Sequence, residues 1–141
     1  MRADTKTQSR KWQAGFTLVE MLVVMAIIGL LAGLVAPRVL GYLATSKVKA
    51  AKIQIESLSA ALDLYHLDAG QYPTASMNLI ALAQRPPNVT TWNGPYVKSV
   101  PKDPWGNPYI YRIPGQHGTY DLYSLGAEGR EGVNNVTNWD R

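Results

Sequence analysis

The carboxylate of Glu20 is the clearest chemical signal in this sequence. It is the only charged group in residues 16–36, a run of 21 residues. A carboxylate costs up to about 3 kcal/mol at the centre of a bilayer and less near an interface, so it usually has a partner or a purpose. A cut between Gly15 and Phe16 would expose an amine that can neutralise Glu20, within one helix or on a neighbouring copy. The alternative is an interfacial carboxylate that reaches water.

The rest of the sequence offers few groups for catalysis. It has no cysteine, so it can form neither a disulfide nor a thiolate metal site. His66 follows a tyrosine on a helix face, and His117 lies in a turn. Neither belongs to a recognisable set of nucleophile, acid and base. We therefore expect that the protein is not an enzyme.

The uncharged run around Glu20 has the length of a transmembrane helix. Its 21 residues would span about 31 Å, which matches a bilayer core of about 30 Å. Four basic residues precede it, and positive flanks stay in the cytoplasm, so we expect the C-terminal domain across the membrane. From Phe16 onward the net charge is only about +1, which argues against nucleic-acid binding.

Small residues and a proline mark the second half of this run. Pro37 lacks a backbone N–H, and together with Gly29 and Gly33 it makes residues 29–37 easy to unwind or kink. The two glycines also form a G-x-x-x-G pattern. This pattern can mark a face on which two helices pair, or it can reflect the fact that glycine is common in membrane helices, and both interpretations remain open.

After Arg38 the pattern predicts that the helix resumes, amphipathic, to about residue 68. Apolar residues recur at spacings of four and three, which place them on one face. This stripe consists of Ala44, Val48, Ala51, Ile55, Leu58, Leu62 and Tyr65. Beyond it we predict a short helix near 77–84 and two strands, 108–113 and 118–124, joined by a Pro-Gly turn. The expected fold class is α+β, a long helix packed on a small antiparallel sheet.

Residues 15–20 read Gly-Phe-Thr-Leu-Val-Glu and resemble the processing motif of type IV pilins and type II secretion pseudopilins. The resemblance implies that a prepilin peptidase cuts after Gly15, that Phe16 is N-methylated, and that Glu20 neutralises a neighbour's N-terminal amine. It divides the chain into a cleaved leader (1–15), a transmembrane and filament-core helix (16–37) and a periplasmic pseudopilin domain (38–141).

Three further strings resemble the major pseudopilins, or G-type subunits, of type II secretion. They are Trp-Asn-Gly-Pro-Tyr at 92–96, Pro-Lys-Asp-Pro-Trp-Gly-Asn-Pro-Tyr at 101–109 and Tyr-Asp-Leu-Tyr-Ser-Leu-Gly-Ala at 120–127. The resemblance implies a type IV pilin-like fold and a structural subunit of a homo-oligomeric helical filament in the periplasm, built from the bacterial inner membrane. Its implied partners are minor pseudopilins, the inner-membrane assembly platform and the prepilin peptidase. The alternatives are a type IV pilus subunit for adhesion or DNA uptake, and a membrane-anchored binding module that does not polymerise.

The same resemblance implies a calcium ion in the C-terminal loop, held by two aspartates and backbone carbonyls. This chain departs from that pattern, because Glu128 replaces the first aspartate and Asn135 stands for the second. Leu125 would supply a carbonyl, and Glu131 is an alternative carboxylate. Fewer charges would leave a weaker or differently shaped site. The alternative is a metal-free loop held by glycine turns, asparagine hydrogen bonds and the packing of Trp139.

Overall fold

The computed structural model describes residues 15–140. The predicted leader, residues 1–15, therefore lies outside the described residues except for Gly15. The chain divides after Leu40 into two units.

The long helix α1 comprises Leu18–Ala69, close to the predicted range. Thr17 caps its first turn, since its Oγ1 accepts a hydrogen bond from the Glu20 N–H at 3.2 Å. Gly70 follows its last residue with φ of +74°, the left-handed conformation that ends helices and favours glycine. The predicted end of the helix near residue 68 is thus confirmed.

The helix does not unwind between Gly29 and Pro37, although the sequence favoured a weak point there. Residues 29–37 are α-helical throughout, with Pro37 inside the helix. A proline removes one hydrogen bond from the helix, and its ring strains the preceding turn. The turns on both sides of Pro37 keep their helical conformation, and the helix is therefore continuous in this unit.

In the first unit, the apolar side chains of α1 are exposed. An 18-residue window of the helix has a mean hydropathy of 2.7, and none of the window is buried. By length and composition the helix is therefore able to cross a membrane, as predicted.

In the second unit, α1 contributes one face to the core. Ala51, Ile55, Leu58, Leu62 and Tyr65 are buried as predicted, and Ala61 joins them. The prediction is wrong at Ala44 and Val48, which are exposed. Helical spacing continues through these two positions, but the core cluster of this unit begins only at Ala51.

Between helix and sheet, the predicted short helix near 77–84 is confirmed, but it is shorter than predicted. It is a 3₁₀-helix of four residues, Leu79–Leu82. Asn78, with φ of +52°, caps it, and its Oδ1 accepts a hydrogen bond from the Leu79 N–H at 2.6 Å. The segment buries Leu79, Ala81 and Leu82 within the core cluster.

The sheet has three antiparallel strands in the order β1-β2-β3. They are Ile110–Arg112, Asp121–Ser124 and Val136–Thr137. The predicted pairing of the first two is confirmed, with Tyr111 opposite Leu122, but both strands are shorter than predicted. Strand β3 was not predicted, because two residues are too few to show an alternating pattern. All four residues of β2 are buried because it is the central strand. The long helix and the antiparallel sheet together confirm the α+β fold class.

Candidate functional site

The first group of predicted site residues lies at the start of α1. Gly15 and Phe16 precede the helix, and both are exposed, so the bond between them lies outside regular structure. The Thr17 N–H lies 3.5 Å from Glu20 Oε2, and the Glu20 N–H donates to Thr17 Oγ1. This reciprocal pair is a capping box, in which Glu20 stabilises the N-terminus of the helix.

The capping role of Glu20 was not predicted. Its signal is the Thr-x-x-Glu spacing of residues 17–20, which precedes an apolar run. The interaction holds the Glu20 carboxylate next to Thr17, the residue that follows Phe16. This is the end of the helix at which the backbone dipole favours a negative charge.

Gly29 and Gly33 lie further along the same helix. A Cβ placed on either glycine would meet no atom within 4 Å, so neither glycine is required by packing within one copy. Their spacing of four residues places them on one face, which leaves that face accessible for close contact with another helix.

The second group of predicted residues lies in the loop between β2 and β3. Ser124 pairs with Val136 in the sheet. Leu125 directly follows Ser124, and Asn135 directly precedes Val136, so both residues lie at the same end of the two strands. Gly126 has φ of +67°, and a Cβ there would lie 2.8 Å from the Asn134 carbonyl oxygen. The loop therefore closes tightly at its base, and this closure depends on glycine.

Side chains of the loop already bind one another. Glu128 accepts hydrogen bonds from Asn134 Nδ2 at 2.7 Å and from Arg130 Nε at 3.2 Å. Glu131, the alternative carboxylate, is bound by Arg112 and by the Tyr123 hydroxyl at 2.8 Å. Glu131 is therefore held against the sheet, whereas Glu128 remains in the loop.

Asn135 carries an unsatisfied oxygen. Its Oδ1 atom is buried, and it is the one buried side-chain polar atom without a hydrogen-bond partner in the part of the chain that the structure describes. Such an atom costs free energy unless a donor or a cation satisfies it. A carboxamide oxygen is a hard ligand of the kind that calcium prefers, so Asn135 fits a cation site.

A buried carboxylate that sequence reasoning missed supports this loop. Asp103 Oδ1 accepts hydrogen bonds from the backbone N–H groups of Trp105 at 3.0 Å and Asn107 at 2.8 Å. The Ser124 hydroxyl donates to Asp103 Oδ2, and it accepts from the Gly126 N–H at 3.0 Å. The signal was the Asp-Pro-Trp-Gly-Asn string at 103–107, whose composition is typical of a turn closed by an aspartate side chain.

His117 contacts an aromatic ring and a buried carboxylate. Its ring lies parallel to that of Trp139, and its Nδ1 lies 3.1 Å from Asp121 Oδ2. Burial alone would raise the pKa of Asp121. Hydrogen bonds from the Gln116 and His117 N–H groups and from the His117 ring outweigh burial and hold that pKa below its usual value. The cluster joins the β1–β2 turn to the C-terminal segment.

Two known family descriptions match the chain. The family profile described as "Type II secretion system (T2SS), protein G" matches residues 38–139, and the "Prokaryotic N-terminal methylation motif" matches residues 13–36. A type II secretion system core protein G of Pseudomonas aeruginosa is 47% identical over 93% of this chain and 98% of that protein.

The chain belongs to the type II secretion system protein G family. A core protein G of Escherichia coli K12 is 43% identical and matches 99% of this chain and 95% of its own length. The crystal structure of the major pseudopilin from enterohaemorrhagic Escherichia coli aligns with a TM-score of 0.66 and 30% identity. The alignment covers 70% of this chain and 87% of the pseudopilin chain.

Membership in the protein G family confirms two predictions. The fold is that of a pseudopilin, with a long N-terminal helix and a small antiparallel sheet. The apolar helix and the methylation motif are those of a membrane-anchored subunit of a type II secretion system. The relatives carry the names of a secretion-system core protein and a major pseudopilin, which favours this interpretation over the two alternatives.

Proposed function

We propose that this protein polymerises into the periplasmic pseudopilus of a type II secretion system and thereby drives the export of folded proteins across the outer membrane. One observation carries the proposal: the segment of α1 in the first unit is apolar and exposed on every side, and most of it lies within the match to the N-terminal methylation motif. A helix that is apolar all round is stable only in lipid or among other apolar helices. The pseudopilus supplies the second environment.

Processing would prepare the subunit for assembly. Cleavage between Gly15 and Phe16 exposes a new amine, which is then methylated. The capping box holds the Glu20 carboxylate at the same end of the helix, so the amine of a neighbouring copy can pair with it. The pair matters most outside water, because opposite charges attract more strongly at low dielectric constant.

The orientation follows from the charges that flank the helix. The basic leader keeps the N-terminus in the cytoplasm, and the second unit then lies in the periplasm. A single-pass subunit in the inner membrane would meet the prepilin peptidase on the cytoplasmic side, the assembly platform within the membrane, and minor pseudopilins in the filament. Its role is structural, without catalysis.

We also propose that the loop between β2 and β3 binds calcium. The Leu125 carbonyl, the Glu128 carboxylate and Asn135 Oδ1 would hold the ion, which supplies the missing partner of the buried Asn135 oxygen. The ion would tie the end of β2 to the start of β3. Because Glu128 already binds Arg130 and Asn134, calcium must compete with these contacts.

Mass spectrometry combined with electron microscopy tests the assembly proposal. In cells that carry the secretion system and the peptidase, we expect membrane-extracted protein with methylated Phe16 at its N-terminus, and filaments that contain it. The Glu20→Ala variant should insert in the membrane and yet form no filaments. An intact Met1 terminus would contradict the processing step, and normal filaments from Glu20→Ala would contradict charge pairing.

A further inference from the structure

Arg130 is the one basic residue in the loop between β2 and β3, residues 125–135. Its Nε atom lies 3.2 Å from Glu128 Oε2. Asn134 Nδ2 donates a hydrogen bond to the other carboxylate oxygen, Glu128 Oε1, at 2.7 Å. Side chains of the loop itself therefore bind both oxygens of Glu128, the carboxylate that the proposed calcium site requires.

A glycine turn brings Arg130 back to Glu128. On a regular helix, residues two positions apart do not face each other. The 3₁₀-helix Gly126–Glu128 ends at Gly129, which has φ of +65° and donates its N–H to the Gly126 carbonyl oxygen at 3.3 Å. This left-handed turn reverses the chain directly after Glu128, so the Arg130 side chain can reach that carboxylate.

The contact also determines the charge that the loop presents to a cation. The acidic residues of the loop are Glu128 and Glu131. Glu131 binds Arg112 and Tyr123 on the sheet, so Glu128 is the carboxylate left for a metal ion. Arg130 brings the net charge of its pair with Glu128 to zero. Because the affinity of a site for calcium depends on the charge of its ligands, this pairing weakens the attraction for the ion.

We infer that Arg130 is an internal counter-ion of the loop, which takes the place of calcium on Glu128 when no metal ion is bound. The inference rests on the calcium site proposed above and names the residue that regulates it. In the calcium-free loop, Arg130 and Asn134 keep Glu128 engaged and hold the loop closed. Arg130 must leave Glu128 before that carboxylate can bind a metal ion.

The exposure of the pair sets the size of the effect. The side chains of Arg130 and Glu128 are 79% and 45% exposed, and an exposed ion pair is weak. Such a pair is formed in only part of the molecules, and a ligand binds more weakly in proportion to the fraction of sites that are blocked. We therefore expect Arg130 to raise the dissociation constant for calcium roughly two- to sixfold.

Isothermal titration calorimetry with calcium chloride tests this effect. The full chain is treated with a chelator and then titrated in detergent micelles. Arg130→Gln removes the charge beside Glu128 and should lower the dissociation constant roughly two- to sixfold. Arg130→Lys keeps the charge and should stay within about 1.5-fold of the unsubstituted chain. Lys98→Gln, the matched control, removes the same charge from an exposed position outside the loop and should also stay within about 1.5-fold.

Hydrogen–deuterium exchange without calcium tests the role of Arg130 in the metal-free loop. The Gly129 N–H donates to the Gly126 carbonyl oxygen, and the Asn135 N–H donates to that of Gly132. In a chelator, Arg130→Gln should make both amides exchange faster, because the loop opens more often. Lys98→Gln should leave their exchange unchanged. Unchanged exchange in Arg130→Gln would contradict the role of Arg130 in closing the loop.

The titration distinguishes the inference from the calcium site on which it rests. Equal dissociation constants for Arg130→Gln and the unsubstituted chain overturn the inference and leave the calcium site intact. Equal values for Arg130→Lys and Arg130→Gln also overturn it, since the charge would then have no role. If Arg130→Gln binds calcium and the unsubstituted chain does not, the inference is supported and calcium binding by the native loop is contradicted. If no variant binds calcium, both fail.

Discussion

Ser124 donates a hydrogen bond of 2.5 Å to Asp103, and both side chains are buried. The bond joins the Asp-Pro-Trp-Gly-Asn turn to the end of β2, the point at which the β2–β3 loop begins. The turn and the loop are therefore stabilised as one structure, although 21 residues separate the two partners.

Asp103→Ala should destabilise the second unit by about 3 kcal/mol. The change leaves the partly buried N–H groups of Trp105 and Asn107 without an acceptor, and bonds to a charged acceptor contribute about 1.5–3 kcal/mol each without being additive. Urea unfolding followed by tryptophan fluorescence measures the effect. Asp63→Ala, which removes one exposed contact with Tyr72, is the control and should cost less than about 1 kcal/mol. Equal costs would contradict the structural role of Asp103.

Leu62 and Leu64 form a matched pair for core packing. Leu62 is fully buried, so Leu62→Ala leaves a cavity and should lower the free energy of unfolding by about 2–5 kcal/mol. Leu64 is exposed, and Leu64→Ala should change it by less than about 0.5 kcal/mol. The same unfolding experiment measures both variants. A large cost at Leu64 in the monomer would contradict the exposed position of this side chain.

Asp121 should make the domain less stable in acid. Its pKa is lower in the folded state than its ordinary value of 3.8, so its carboxylate stabilises the fold above that value. This contribution is lost as the pH falls through the folded-state pKa. Asp121→Asn should therefore lower stability at neutral pH and flatten the acid limb of a plot of unfolding free energy against pH. Glu56→Gln, a change at an exposed helix position, should leave the shape of that plot unaltered.

Calcium should raise the unfolding temperature of the second unit if the loop binds it. At a hundred times the dissociation constant, one bound ion adds about 2.7 kcal/mol of stability. Thermal unfolding in calcium and in a chelator measures the difference, and Asn135→Ala should reduce it strongly. Glu131→Gln is the control, because Glu131 binds Arg112 and Tyr123 on the sheet. Identical unfolding temperatures with and without calcium in the unsubstituted chain would contradict the site.

The sequence alone predicted the local features of this protein. The length and apolarity of residues 16–36 indicated the anchor, and Gly15, Phe16 and Glu20 indicated the processing motif. Helical spacing predicted the buried face of α1 from Ala51 to Tyr65. Each of these features depends on a repeat or motif within a short stretch of chain, so it can be seen without the fold.

Only the tertiary structure decided which predicted faces are covered. It showed that Ala44 and Val48 lie outside the core, that β3 pairs with β2, and that Asp103 supports the loop from a distant turn. It also showed that the Asn135 oxygen is buried without a partner. Periodicity gives the direction in which a side chain points along its own element. The burial and the hydrogen bonds of that side chain depend on which remote segment packs against it, and this is decided by the packing of the whole unit.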